Sequence, residues 1–209
     1  MLWKICGMRE PNNINEVLAL QPNYMGFIFF EKSPRNALAQ LTPQVFSNFP
    51  SHTQKVGVFV NAPIDFVLEQ VHNFGLNAVQ LHGAETPEYC QLISHKDIQV
   101  WKAFSVDQHF DFKTTEPYIG CTTYFLFDTK APSGYGGHGK SFDWTLLSNY
   151  TFDHPFLLAG GIGPDSIEEL KHLSHPALAG FDLNSKFEIS PGLKEPKLIA
   201  EFLEELKAI

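Results

Sequence analysis

The sequence predicts a single α/β domain closed into a (β/α)₈ barrel of the TIM-barrel class. Three observations predict it. Short apolar runs alternate with longer amphipathic stretches about eight times along the chain. They fit into 209 residues, with no linker, low-complexity segment or composition shift to mark a domain boundary. The first run lacks the GxGxxG turn expected of the competing architecture, the open doubly wound sheet.

The elements follow in order. Residues 3–7 read as a strand and 12–20 as a helix. A second strand covers 24–30, with a helix somewhere in 36–49. Residues 55–61 form the third strand, and a proline opens the helix at 63–74. The fourth strand is 78–82, followed by a helix from about 86. The fifth is 99–106, and segment 107–121 offers at most a short helix. Residues 124–129 are the sixth strand, then a Gly-rich loop and a helix from 143. The seventh strand is 155–160 with a helix at 164–172; the eighth is 178–184, with a closing helix from about 195.

Composition excludes several function classes. Hydrophobic residues make up 44% and charged residues 18%, which suits a packed core and argues against disorder. The formal net charge is −8 and no Lys/Arg cluster stands out, so no nucleic-acid partner is expected. An anionic ligand must then be held by local groups, such as helix N-termini and loop amides. The apolar runs are strand-sized, so no membrane span is expected, and the N-terminus lacks a signal-peptide core. Cys6, Cys90 and Cys121 form no CxxC pair, which fits a reducing, cytoplasmic setting. Cys90 and Cys121 read as small apolar residues.

The fold directs attention to strand ends, because barrels of this class place their active sites there. The seventh predicted strand ends in Gly160-Gly161 and the eighth in Asp182-Leu183-Asn184-Ser185. Loops after these two strands hold phosphate in many barrels, and adjacent glycines let backbone N–H groups approach an anion. Asn184 and Ser185 are able to cap a short helix aimed at that anion. Gly160-Gly161 also fits a plain strand-to-helix turn.

Cys6 and Asp128 are the candidate base and acid. Cys6 ends the first strand; a thiolate is a good base, although a lone cysteine also fits a small buried hydrophobe. Lys4 should share its face, roughly 7 Å away. At an effective dielectric of about 20 that favours thiolate by on the order of 2 kcal/mol. Asp128 ends the sixth strand, where partial burial would raise its pKa and suit it to acid catalysis; capping the next loop is its other reading. Arg35 after the second strand could clamp a carboxylate, or be a solvated surface arginine. His82 reads as a pocket-lining residue.

In their order along the chain these segments resemble the phosphoribosylanthranilate isomerase family. The resemblance runs through Lys4-Ile5-Cys6-Gly7, Gly26-Phe27-Ile28-Phe29, Ser33-Pro34-Arg35 and Val58-Phe59-Val60-Asn61. It continues in Val79-Gln80-Leu81-His82-Gly83, Asp128, Gly136-Gly137-His138-Gly139 and Phe142-Asp143-Trp144. Leu158-Ala159-Gly160-Gly161, residues 182–188 and Pro191-Gly192 complete it. The single motifs are weak; the ordered set is specific.

The resemblance implies a cofactor-free, metal-free Amadori rearrangement of N-(5-phosphoribosyl)anthranilate in tryptophan biosynthesis. It implies Asp128 as general acid, Cys6 as general base and Arg35 as partner of the anthranilate group. Gly160, Gly161, Asp182, Asn184 and Ser185 are then substrate-binding residues. The expected partner is a small phosphorylated substrate, and the chain a free-standing enzyme, monomer or homodimer.

Three positions depart from the family pattern. His138 replaces a usual threonine, Glu195 a common aspartate and Lys186 a usual glycine. Lysine supplies φ > 0 poorly, so the loop differs or its ammonium replaces part of the amide grip. Two rivals remain. A metal-dependent phosphosugar epimerase would draw on His82, Asp128 and Asp182, and a phospho-ligand-binding barrel would have lost its chemistry.

Overall fold

The computed structural model describes residues 1–47, 49–96, 98–129 and 142–207. Eight parallel strands close into a barrel, each paired with its sequence neighbours and the last with the first. They are β1 (Leu2–Ile5), β2 (Tyr24–Ile28), β3 (Gln54–Phe59), β4 (Ala78–Leu81), β5 (Gln99–Val106), β6 (Tyr124–Thr129), β7 (Phe156–Leu158) and β8 (Leu178–Leu183). Helices α1 (Pro11–Leu18), α2 (Ile64–Phe74), α3 (Pro87–Ser94) and α4 (Ile167–His172) follow β1, β3, β4 and β7. After β8 come a small hairpin, β9 (Glu188–Ser190) and β10 (Leu193–Lys194), and then α5 (Pro196–Lys207). No helix among the described residues is long and apolar enough to cross a membrane.

Two predicted crossovers differ from the sequence reading, and the third, at 107–121, holds no more than the short helix expected. The segment 36–49 forms only 3₁₀ turns, at Ala37–Ala39 and Pro43–Phe46. Asn36 turns its side chain onto the Leu38 N–H, and Pro43 starts a new turn, so no long ladder develops. After β6 the expected helix is a 3₁₀ turn, Trp144–Asn149, whose polar side chains bond locally: Asp143 accepts from Thr145 and Ser148 donates to the Thr145 carbonyl. The segment 107–121 carries a 3₁₀ run, Phe112–Cys121, with Pro117 inside it, where no backbone donor exists. Aromatic rings fill the layer these crossovers leave thin. Phe127 of β6 packs on Phe112, Tyr150 and Phe156 with centroids at 5.2, 5.1 and 5.0 Å.

The period-two alternation of the strands assigns their faces. Tyr24, Val56, Ala78, Trp101, Ala103, Leu126, Leu157 and Ala159 fill the barrel interior. Ile5, Val79, Leu81, Phe125, Phe127, Phe181 and Leu183 face the surrounding layer and pack with Val17, Val67, Ile93 and Phe202 of the helices. The residues between them therefore point inward near the C-terminal mouth: Lys4 and Cys6, Gln80 and His82, Asp128, and Asp182.

Candidate active site

Cys6 lies one residue past β1, because Gly7 takes φ +78° and turns the chain away. Its N–H still donates to the Leu183 carbonyl at 2.9 Å, so the thiol is held at the barrel seam and is buried. Lys4 shares its face, as expected. A Cβ on Gly26 would stand 2.8 Å from the Cys6 sulfur and 3.1 Å from the Lys4 Cε, so both side chains converge over that glycine.

Their electrostatics differ from the simple pair expected. Lys4 is fully buried and its Nζ donates to Asp182 Oδ2 at 2.8 Å. Burial opposes its charge, but Asp182 and Cys6 outweigh that and keep it protonated. At Cys6, burial is the largest influence and pushes the thiol up; Lys4 and Lys194 pull it down, and Asp182 adds to the rise. The net shift is upward. Lys4 acts with the expected sign, but desolvation wins, so the resting thiol holds its proton more firmly than an ordinary cysteine.

Arg35 is not a solvated surface arginine. It is 9% exposed and clamps Glu188 bidentately, Nε at 2.8 Å from Oε1 and Nη2 at 2.6 Å from Oε2. Glu188 also accepts from Lys194 Nζ at 2.7 Å. Burial works against this carboxylate, but Arg35 and Lys194 together hold it below its ordinary value. Lys194 is itself fully buried, and burial drives its ammonium down to about 8 despite Glu188. Asn13 of α1 fixes it in place, exchanging two hydrogen bonds with the Lys194 backbone at 2.7 and 2.9 Å. Cys6 therefore sits among three cationic side chains, all of them already paired with carboxylates, Lys4 with Asp182 and both Arg35 and Lys194 with Glu188.

Across the mouth, Asp128 is 9% exposed and accepts from the Thr129 N–H at 2.8 Å through Oδ1. His82 Nε2 lies 3.4 Å from its Oδ2, so His82 contacts the candidate acid. Asp182 interacts electrostatically with Lys4 on one side and with Asp128 and His82 on the other. It is thus the middle member of an inward-facing row. Its Oδ1 is buried and has no hydrogen-bond partner among the described residues.

Gly160 and Gly161 take φ +78° and +76°, so this turn favours glycine at both positions. A Cβ on Gly160 would meet Thr129 Oγ1 at 2.4 Å and Asp128 Oδ1 at 2.5 Å, so the loop after β7 closes directly against the end of β6. The loop after β8 contains the expected short helical turn, Ser185–Phe187. Asn184 stands at its start but makes no side-chain cap: its Oδ1 accepts from Lys194 at 2.7 Å instead. That corrects the capping role expected of Asn184. Lys186 does not take φ > 0; its ammonium pairs with Asp165 at 2.9 Å and so ties the two loops together. The Gly-rich segment with His138 lies outside the described residues.

Sequence reasoning missed Glu188, Lys194, Gln80 and the contact of His82. Residues 188–194 read as loop, with no apolar alternation to announce the hairpin that carries Glu188 and Lys194 to the site. Gln80 and His82 carried a signal, being polar residues two apart inside an apolar strand.

The comparisons with known proteins agree with this geometry. The family model described as N-(5'-phosphoribosyl)anthranilate (PRA) isomerase matches residues 3–205. An N-(5'-phosphoribosyl)anthranilate isomerase of Parabacteroides distasonis is 45% identical over 207 residues, covering 99% of this chain and 93% of its own. The phosphoribosyl anthranilate isomerase of Thermotoga maritima superposes with a TM-score of 0.86 at 32% identity, over 100% of both chains. A phosphoribosyl anthranilate isomerase in complex with reduced 1-(o-carboxyphenylamino)-1-deoxyribulose 5-phosphate gives 0.82 at 28% identity, again over 100% of both chains. A closed barrel with an inward thiol, carboxyls and a glycine-bearing loop at one mouth, matched end to end in this way, belongs to the N-(5'-phosphoribosyl)anthranilate isomerase family of tryptophan biosynthesis.

Proposed function

We propose that this chain converts N-(5-phosphoribosyl)anthranilate into 1-(2-carboxyphenylamino)-1-deoxyribulose 5-phosphate in the cytoplasm, with Asp128 as general acid and Cys6 as general base. The carrying observation is that both side chains face one mouth from β6 and the end of β1, three strands apart around the barrel. Groups so placed address different sides of one bound sugar.

Asp128 gives its proton to the ribose ring oxygen as the C1–O bond breaks and the nitrogen lone pair forms an iminium. Cys6, as thiolate, then takes the C2 proton, and the electron pair flows into C1=C2 and onto nitrogen. Protonation at C1 with loss of the C2 hydroxyl proton gives the ketone and restores the proton count. The iminium nitrogen is the electron sink, so the step calls for neither metal nor organic cofactor. The raised Cys6 thiol means that the thiolate must form against burial, with Lys4 and Lys194 as the stabilising charges.

Arg35 turns its remaining guanidinium edge toward the anthranilate carboxylate, its other edge being spent on Glu188. The N–H groups of Gly160, Gly161 and Ser185 grip the phosphate; none of them donates to another described residue. Lys186 adds a positive charge beside that grip. Asp182, with one oxygen on Lys4 and the other without a partner among the described residues, accepts from a sugar hydroxyl.

Loss of the substrate's fluorescence measures turnover. Cys6→Ser and Asp128→Asn should each lower kcat by 10² or more, the usual worth of positioned acid–base catalysis, with KM little changed. Full activity in either variant removes the role assigned to that residue.

A further inference from the structure

We propose that His82 is a positioning residue for the general acid: Gln80 holds it with its proton on Nε2, and Nε2–H donates to Asp128 as that carboxyl becomes a carboxylate. The inference rests on Asp128 being the acid, as argued above.

Gln80 and His82 are two apart on the inward face at the end of β4, the intervening Leu81 packing outward. The Gln80 Nε2 lies 3.1 Å from His82 Nδ1. An amide nitrogen can only donate, so Nδ1 accepts and the ring proton belongs on Nε2. That nitrogen is the one 3.4 Å from Asp128 Oδ2. Gln80 itself is 1% exposed, and its Oε1 is buried without a hydrogen-bond partner among the described residues. A buried amide with an unmade bond is costly where an apolar side chain would fit. Among the described residues its one side-chain hydrogen bond is to the imidazole. Orienting His82 is the task that accounts for keeping Gln80 there.

The arrangement favours the transition state for ring opening over the bound substrate. With Asp128 protonated, Nε2–H meets a neutral carboxyl oxygen. As the proton leaves for the ring oxygen, the same donor meets a growing negative charge, and charge-assisted hydrogen bonds are about twice as strong as neutral ones. Oδ1 is already served by the Thr129 N–H, so His82 supplies a donor to the second oxygen. An interaction that strengthens only as the reaction proceeds raises kcat and leaves substrate affinity nearly alone.

The test compares His82→Leu with His82→Gln, alongside Gln80→Met and Asp128→Asn, with thermal unfolding of each to establish that it is folded. Leucine keeps bulk and removes the donor; glutamine keeps an N–H. We expect kcat of His82→Leu to fall about 10²-fold, in line with removal of one donor to a developing charge, with KM within about twofold. His82→Gln should retain kcat about tenfold above His82→Leu, and Gln80→Met should lower kcat by a smaller factor. Equal kcat in His82→Leu and His82→Gln, or a loss carried by KM alone, overturns the inference while leaving Asp128 as the acid. If Asp128→Asn is itself fully active, the acid assignment falls first and this inference falls with it.

Discussion

Lys194 carries its charge where water cannot reach it, and its ammonium is driven down to about 8. Burial is the main cause; the carboxylate of Glu188 resists it. In a protein labelled with 13C at the lysine ε-carbon, one resonance should therefore titrate near pH 8, and in Glu188→Gln it should move lower still. A Lys194 signal that titrates at the ordinary lysine value would refute this account. The sign for stability follows from linkage. An unfolded lysine holds its proton to about 10.5, so between pH 8 and 10.5 the unfolded chain binds more protons, and this group stabilises the fold as pH rises through that window. Cys6 illustrates what a sequence leaves undetermined at this scale. The neighbour Lys4 and the sign of its effect follow from strand alternation. Whether attraction or desolvation wins does not, because Asp182, 178 positions away, takes up the lysine's charge.

The crossover after β4 holds a second buried pair that the mechanism does not use. Lys102 lies on β5 between the inward Trp101 and Ala103, so it points outward under α3. Its Nζ donates to Glu85 Oε2 at 3.2 Å and to the Gly83 carbonyl at 2.7 Å. Glu85 in turn accepts from the N–H groups of Asn61 and Gly83, at 2.8 and 2.9 Å, and so pins the loops after β3 and β4. Lys102→Met leaves that carboxylate buried without its cation, and should cost about 3–5 kcal/mol in urea unfolding. Adding Glu85→Gln should recover part of the loss, because the amide oxygen still accepts from a backbone N–H. A single variant as stable as the parent would refute the role. Elements with apolar alternation and proline starts were legible: α2 and α3 begin within a residue or two of their expected positions. The turns after β2 and β6 were not, because local polar side chains compete with the helical ladder there.

At the scale of the whole molecule the barrel depends on its seam. β8 meets β1 with Gly180 opposite Leu2, and a Cβ on Gly180 would stand 2.1 Å from the Leu2 carbonyl oxygen. That oxygen belongs to the backbone of the pairing strand and cannot swing aside. Gly180→Ala should destabilise by about 1–3 kcal/mol, as overpacking does. In a chain of this size that lowers Tm by roughly 2–12 °C. An unchanged Tm would mean that the seam tolerates a shift the geometry forbids.

The sequence by itself determined the eight-fold alternation, the shared face of Lys4 and Cys6, and the placing of Cys6, Asp128 and the paired glycines at strand ends; which face of each strand points inward came from the structure. The former features are local: a period of two and a strand end are written in neighbouring residues. Only the tertiary structure decided that Arg35 is shared with Glu188, that Lys194 takes the Asn184 oxygen, that Lys186 pairs with Asp165, and that His82 touches Asp128. These contacts join residues on different strands and loops. Their strength depends on burial, which lowers the dielectric for attraction and raises the cost of charge together, and closure of the barrel sets that burial.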